Sequence, residues 1–237
     1  MTLRVAVAFA VLLAVVSAHG APPGPQKMPI EVPDTLKQRL QACFACHGPE
    51  GRATSQGFFP RIAGKPAGYL YNQLLAFRDG TRRYTPMNYL MAYLPDAYLR
   101  EIADHFSRQR PPFTATEAGA ADPATVARGR DLVLSGDAAR GVPECVACHG
   151  TRLTGMEPGI PGLVGLRPTY IVAQLTRWRV GERSAAEPDC MKRIATRLSE
   201  RDVVSIAAWL ARQPAPANAA PDSPNLVRMP LACGSQR

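Results

Sequence analysis

The chain has 237 residues, enough for one large domain or two small ones, and carries a formal charge of +9 with a pI near 9.6. That balance suits an acidic partner or a membrane surface. It does not point to nucleic acid, because no basic run occurs and the first residues read as an export signal. Arg4 precedes an apolar run from Val5 to Val16, and Ser17-Ala18 then gives the small-residue end that signal peptidase accepts. Residues 1–18 are therefore expected to be a cleaved secretory signal, with a retained N-terminal anchor as the rival, and residues 19–33 a Pro/Gly-rich N-terminal extension. No later segment approaches the ~20 apolar residues that cross a bilayer, so the mature chain is expected to be soluble and periplasmic.

Helical signals begin at residue 34. Asp34 can cap a helix that runs through Leu36 and Leu40 into Cys43-Phe44-Ala45-Cys46-His47. A middle helix is expected over residues 66–78, ending near Gly80, and Met87 falls in a loop before a last helix over residues 96–108. In that last helix Leu99, Ile102, Ala103 and Phe106 recur at helical spacing. Residues 111–122, rich in Pro, Ala, Gly and Thr, read as a linker. The pattern then starts again. Asp122-Pro123 opens a helix with Val126, Leu132 and Leu134 as its apolar positions, followed by Cys145-Val146-Ala147-Cys148-His149. A middle helix over 168–180 ends near Gly181, Met191 sits in the next loop, and the last helix over 199–212 carries Val203, Ile206, Ala207 and Leu210. Residues 214–237 form a proline-rich tail that regains apolar residues and is expected to pack on the second half. No alternating strand pattern appears, so the expected fold is all-α, with tandem domains at 34–110 and 123–213.

The two halves are copies of one plan. Pro60-Arg61-Ile62-Ala63-Gly64 recurs as Pro161-Gly162-Leu163-Val164-Gly165, and Tyr69 to Leu74 recurs as Tyr170 to Leu175. Met87 stands seven residues before Leu94, as Met191 stands before Leu198. On a helix, positions i and i+3 share a face and i+4 lies beside them. The thiols of Cys43 and Cys46, or of Cys145 and Cys148, can then add to the vinyl groups of one porphyrin while His47 or His149 meets its iron. Two such strings imply two covalently bound heme c groups. A zinc site built from both cysteine pairs, or a redox disulfide, is the bland rival; separation by about a hundred residues and the absence of a strand–helix context argue against each.

An iron that only passes electrons needs a sixth ligand, and a thioether favours ferrous iron. The matched positions make Met87 and Met191 the candidates, with Met91 as a rival in the first half. A carbonyl at Pro60 or Pro161 is placed to accept the histidine Nδ1–H and fix the ring. Cys190 and Cys233 fit neither string, and an oxidising compartment favours a disulfide between them; the alternative is that Cys190 itself ligates the second iron.

Cys43 to His47 with Gly48-Pro49-Glu50-Gly51, Pro60 to Gly64, Gln73-Leu74 and the Met87-to-Leu94 spacing resemble class I cytochrome c domains, and two in tandem resemble the diheme cytochrome c4 family over about residues 34–213. The resemblance implies two small helical folds about a pseudo-twofold axis, His/Met-ligated hemes close enough for internal electron transfer, and a periplasmic carrier with no catalytic residue of its own. It implies that Cys43, Cys46, His47 and Met87 serve one heme, and Cys145, Cys148, His149 and Met191 the other. Its partners would be redox proteins: a terminal oxidase, a bc1-type complex or a dehydrogenase. The second half departs from the Gly48–Gly51 spacing, having Gly150-Thr151-Arg152-Leu153-Thr154-Gly155, and the tail with its extra cysteines is unusual. A heme-bearing subunit docked to a periplasmic dehydrogenase is therefore the second reading. A diheme enzyme, such as a peroxidase or a thiosulfate-oxidising cytochrome, is the third.

Overall fold

The first helix starts one residue later than expected, because Thr35 rather than Asp34 caps it: the Thr35 hydroxyl accepts from the Gln38 backbone N–H at 3.3 Å. A computed structural model describes residues 34–56, 58–114, 118–224 and 229–236. The expected signal at 1–18 and extension at 19–33 lie outside the described residues. In the first half α1 (Leu36–Arg39) turns at Leu40 into α2 (Gln41–His47), followed by α3 (Ala67–Arg78), α4 (Thr85–Met91) and α5 (Asp96–Ser107). The second half contains α6 (Pro123–Ser135), α7 (Val146–His149), α8 (Pro168–Arg179), α9 (Cys190–Ala195) and α10 (Glu200–Leu210). One departure from an all-helical chain is a two-residue antiparallel pair, β1 (Gly155–Met156) with β2 (Ile160–Pro161).

Each half buries its own apolar cluster. In the first, α3 packs on α5, and Leu40, Leu70, Phe77, Met91, Leu99, Ile102, Ala103 and Phe106 form the core. Phe44 of α2 meets Phe106 edge to face at 5.9 Å, which seats the first cysteine string on the last helix. In the second half α10 packs on both α6 and α8. Val203, Ile206, Ala207 and Leu210 all turn inward there, at the spacing a buried helix stripe requires. Leu134 does not join them: it is 46% exposed, and Val133 beside Leu132 takes the inward position. Asp122 caps α6 through the Thr125 backbone N–H, and Ser199 and Asp202 form a capping box on α10. The buried carboxylate of Asp202 also accepts from Arg128 at 3.0 Å and Arg140 at 2.7 Å, tying the two ends of the half together.

Thr35–Arg237 forms one compact unit, and its halves meet along several backbone contacts. Tyr69 N–H donates to the Pro158 carbonyl, Ser184 N–H to that of Thr81, and Arg83 N–H to that of Glu182. The tail returns to the second half as expected, with Asp222 N–H donating to the Gly155 carbonyl and Glu157 N–H to that of Asp222.

The α6–α10 contact is close enough to need a glycine. A Cβ at Gly129 would stand 1.9 Å from the Ser205 carbonyl oxygen, a backbone atom that cannot swing aside. Gly129→Ala is expected to destabilise the heme-loaded protein by about 1–3 kcal/mol. Chemical denaturation would show the loss, and an unchanged midpoint would contradict this packing.

Candidate functional site

Both cysteine–histidine strings end a helix in the same way. His47 closes α2 and His149 closes α7, and each is followed by a glycine at positive φ, 74° at Gly48 and 83° at Gly150. An L side chain is strained there, and the chain turns sharply away behind the histidine. Both rings are buried. The Nδ1 of His47 lies 2.9 Å from the Pro60 carbonyl oxygen, and that of His149 lies 2.7 Å from the Pro161 carbonyl oxygen. A carbonyl can only accept, so Nδ1 carries the proton in each ring and Nε2 keeps its lone pair. Burial, outweighing the Pro161 bond and helped by nearby Lys65, pushes His149 down to about 4; burial likewise lowers His47. Both are neutral bases at neutral pH, as an iron ligand must be.

The four string cysteines are free thiols. Burial pushes Cys43 up to about 11, Cys148 to about 11 and Cys145 to about 12. Thiols held protonated by burial do not suit a redox-active pair. Among the described residues no three His, Cys, Asp or Glu side chains come together as a metal-binding group, so the zinc rival has no ligand set.

The two methionines lie in short helices rather than in loops. Thr85-Pro86 starts α4 with proline in its first turn, and Asp189 caps α9 through the Lys192 N–H at 2.9 Å. Met87 and Met191 are half-buried at matching places; the rival Met91 is buried in the first core and also borders the cavity. Cys43, Cys46, His47, Met87, Cys145, Cys148, His149 and Met191 all line one continuous apolar cavity, and so do Pro60 and Pro161. Cys190 and Cys233 also border it and are joined by a disulfide. That bond engages the sulfur that the rival reading would have placed on iron, and it pins the tail beside Met191.

Other wall residues were not singled out from sequence. Arg82 donates to Gln73 Oε1, Tyr170 Oη and Gln174 Oε1 at 2.8–2.9 Å, and Arg183 donates to Gln174 Oε1 and Gln73 Oε1, each at 2.8 Å. Both guanidiniums are buried on the cavity wall, and these neutral side chains are their partners. Burial and the neighbouring Arg82 pull Arg183 down to about 10, which leaves it charged. Two buried like charges with no carboxylate between them call for an anion. Trp178 adds a buried Nε1–H on the same wall with no acceptor among the described residues. A porphyrin offers what this set lacks: apolar faces for the walls and carboxylates for the cations and the indole. The signal was available in the repeat, since Gly80-Thr81-Arg82 recurs as Gly181-Glu182-Arg183.

No family model matches the chain. It is 35% identical over 173 residues to the thiosulfate dehydrogenase electron acceptor of Thiomonas intermedia, covering 73% of this chain and 79% of that protein. It is also 35% identical over 174 residues to cytochrome c4 of Pseudomonas aeruginosa, covering 73% and 84%. Among solved structures, reduced recombinant cytochrome c4 of Pseudomonas stutzeri matches with a TM-score of 0.64 at 30% identity, over 74% of this chain and 95% of that one. The as-isolated thiosulfate dehydrogenase of Marichromatium purpuratum gives a TM-score of 0.65 at 29% identity, over 73% of this chain but 36% of that longer one.

The disulfide joins residues 43 positions apart. Replacing Cys233 by Ser is expected to lower stability by about 2–4 kcal/mol and to open the tail to proteases. Denaturation and limited proteolysis of the heme-loaded protein measure both; an unaltered cleavage pattern would contradict a pinned tail.

Proposed function

Because the chain belongs to the cytochrome c4 family, we propose that Cys43, Cys46, His47 and Met87 hold one heme and Cys145, Cys148, His149 and Met191 the other. Membership makes the protein a diheme electron carrier with two covalently bound heme c groups, and not an enzyme. The heme supplies a one-electron iron couple. The polypeptide does the rest. Each cysteine pair tethers the ring, each histidine presents a neutral Nε2, and the Pro60 and Pro161 carbonyls fix the imidazoles and raise their basicity. The thioethers of Met87 and Met191 would be the second protein ligands to each iron and would favour the ferrous state. Arg82, Arg183 and Trp178 would compensate the propionates, and the apolar walls would exclude water. With an imidazole and a thioether from the chain on each iron, no place would be left for a substrate to bind it. The observation that supports this reading most strongly is the repeated set of histidine, proline carbonyl and methionine around one cavity.

We assign the protein to the periplasm on the strength of the export-like first 18 residues, the heme attachment strings and the Cys190–Cys233 disulfide. Redox proteins are its partners, and the charge of +9 favours acidic docking faces. A terminal oxidase or bc1-type complex fits a free carrier. A second reading, acceptor or subunit for a dehydrogenase, is favoured by the relatives named as thiosulfate dehydrogenase electron acceptors. A thiosulfate-oxidising role for this chain itself is disfavoured, because Cys190 is held in a disulfide.

Met87→Ala and Met191→Ala are each expected to abolish about half of the weak long-wavelength absorption that marks methionine–iron bonds, and to lower the potential of one heme. Absorption spectroscopy with redox titration measures this. Full retention of the band in either variant would contradict the ligand assignment.

A further inference from the structure

Lys65 belongs to the first half but is spent on the second. Its side chain is 7% exposed, lines the cavity, and donates from Nζ to the Gly162 carbonyl at 2.5 Å. Gly162 directly follows Pro161, whose carbonyl holds the Nδ1–H of His149. The same segment is fixed from the other side by β-pairing of Pro161 with Gly155 and by Leu163 N–H donating to the Leu153 carbonyl at 2.8 Å. The repeat does not return the favour: the position matching Lys65 is Leu166, an apolar residue of the second core. In the first half the residue after Pro60 is Arg61, and its guanidinium is turned to the Pro111 and Pro112 carbonyls and the Phe113 ring.

We propose that Lys65 is a positioning residue lent across the interface to the second heme, holding the peptide segment that orients His149 and raising that heme's potential by its charge. The inference rests on the ligand assignment proposed above. A buried ammonium gives up its hydration, a cost that must be offset by the groups that replace the water. Here one carbonyl bond seats it on the residue next to Pro161, whose carbonyl orients His149. Oxidation adds a positive charge at the iron, so a fixed cation nearby disfavours the ferric state and raises the potential. Removing the cation must therefore lower it. The effect is directional between halves, because the position matching Lys65 in the second half is the uncharged Leu166.

The test is a redox titration of the heme-loaded Lys65→Met and Lys65→Arg proteins at about pH 6, below the value of about 7 to which burial pushes this ammonium. Each heme is followed by its own paramagnetically shifted methyl resonances, the second heme's being the set that Met191→Ala removes. In Lys65→Met the second heme's reduction equilibrium is expected to fall about tenfold, 59 mV for one electron, with a smaller change at the first. Lys65→Arg, which keeps the charge, is expected to stay within about twofold of wild type. If Lys65→Met fails to load both hemes, Lys65→Gln carries the same expectation. A second heme that does not move, or a larger fall at the first, overturns the proposal. Wild-type protein lacking the Met191 signals overturns the ligand assignment and this inference with it; with those signals present, an unmoved second heme overturns this inference alone.

Discussion

The hydrogen bond from a buried histidine Nδ1 to a proline carbonyl is the interaction on which both halves depend. It settles which nitrogen carries the proton, and so leaves Nε2 as a lone pair at the wall of the cavity. It also explains why the chain between histidine and proline must turn twice in a short distance. Gly48 and Gly150 take up a backbone conformation that other residues resist, and the loop returns a dozen residues later with a carbonyl in place. The helices serve this geometry. Phe106 of α5 backs the first string, β1 and β2 pack against the second, and α4 and α9 carry a methionine to the same cavity.

The boundary between the halves is held by cations as well as by apolar contact. Arg82, Arg183 and Lys65 are all buried, and they are answered by amide, phenol and carbonyl oxygens. Without an anion such an arrangement is expensive, and the group that the two strings would attach brings its carboxylates to the place where they are needed. Attachment, charge compensation and contact between halves are then one event. This accounts for a shared glutamine pair, Gln73 and Gln174, each of which accepts from both arginines. A change in the charge of one iron would be felt across this network by the other.

Much of this was legible in the residue order because the chain says the same thing twice. The cysteine strings, the prolines and the paired methionines stand out by recurrence, and helical spacing located α3, α5, α8 and α10 to within a residue or two at most ends. The misses have local and non-local causes. Thr35 displaces Asp34 because its hydroxyl, one residue further along, reaches the Gln38 N–H, a choice that composition does not reveal. The methionines read as loop residues because α4 and α9 are too short for a periodic signal and depend on Pro86 and Asp189 to start them. Leu134 and Val133 exchange expected roles, since a helix stripe shifts by one residue without altering its composition. Arg82, Arg183 and Lys65 were not singled out from the residue order, although the two arginines occupy matching places in the repeat. Their burial is set by the meeting of two halves some hundred residues apart, which no window of sequence contains.

The central claim is that each half carries its own porphyrin on its own pair of cysteines. Peptide mapping by mass spectrometry of the protein purified from cells tests it most directly. The peptide spanning Cys43–His47 and the peptide spanning Cys145–His149 should each carry one heme through two thioether bonds, with Cys190 and Cys233 recovered as a cross-linked pair. A protein in which either string is recovered unmodified would contradict the account.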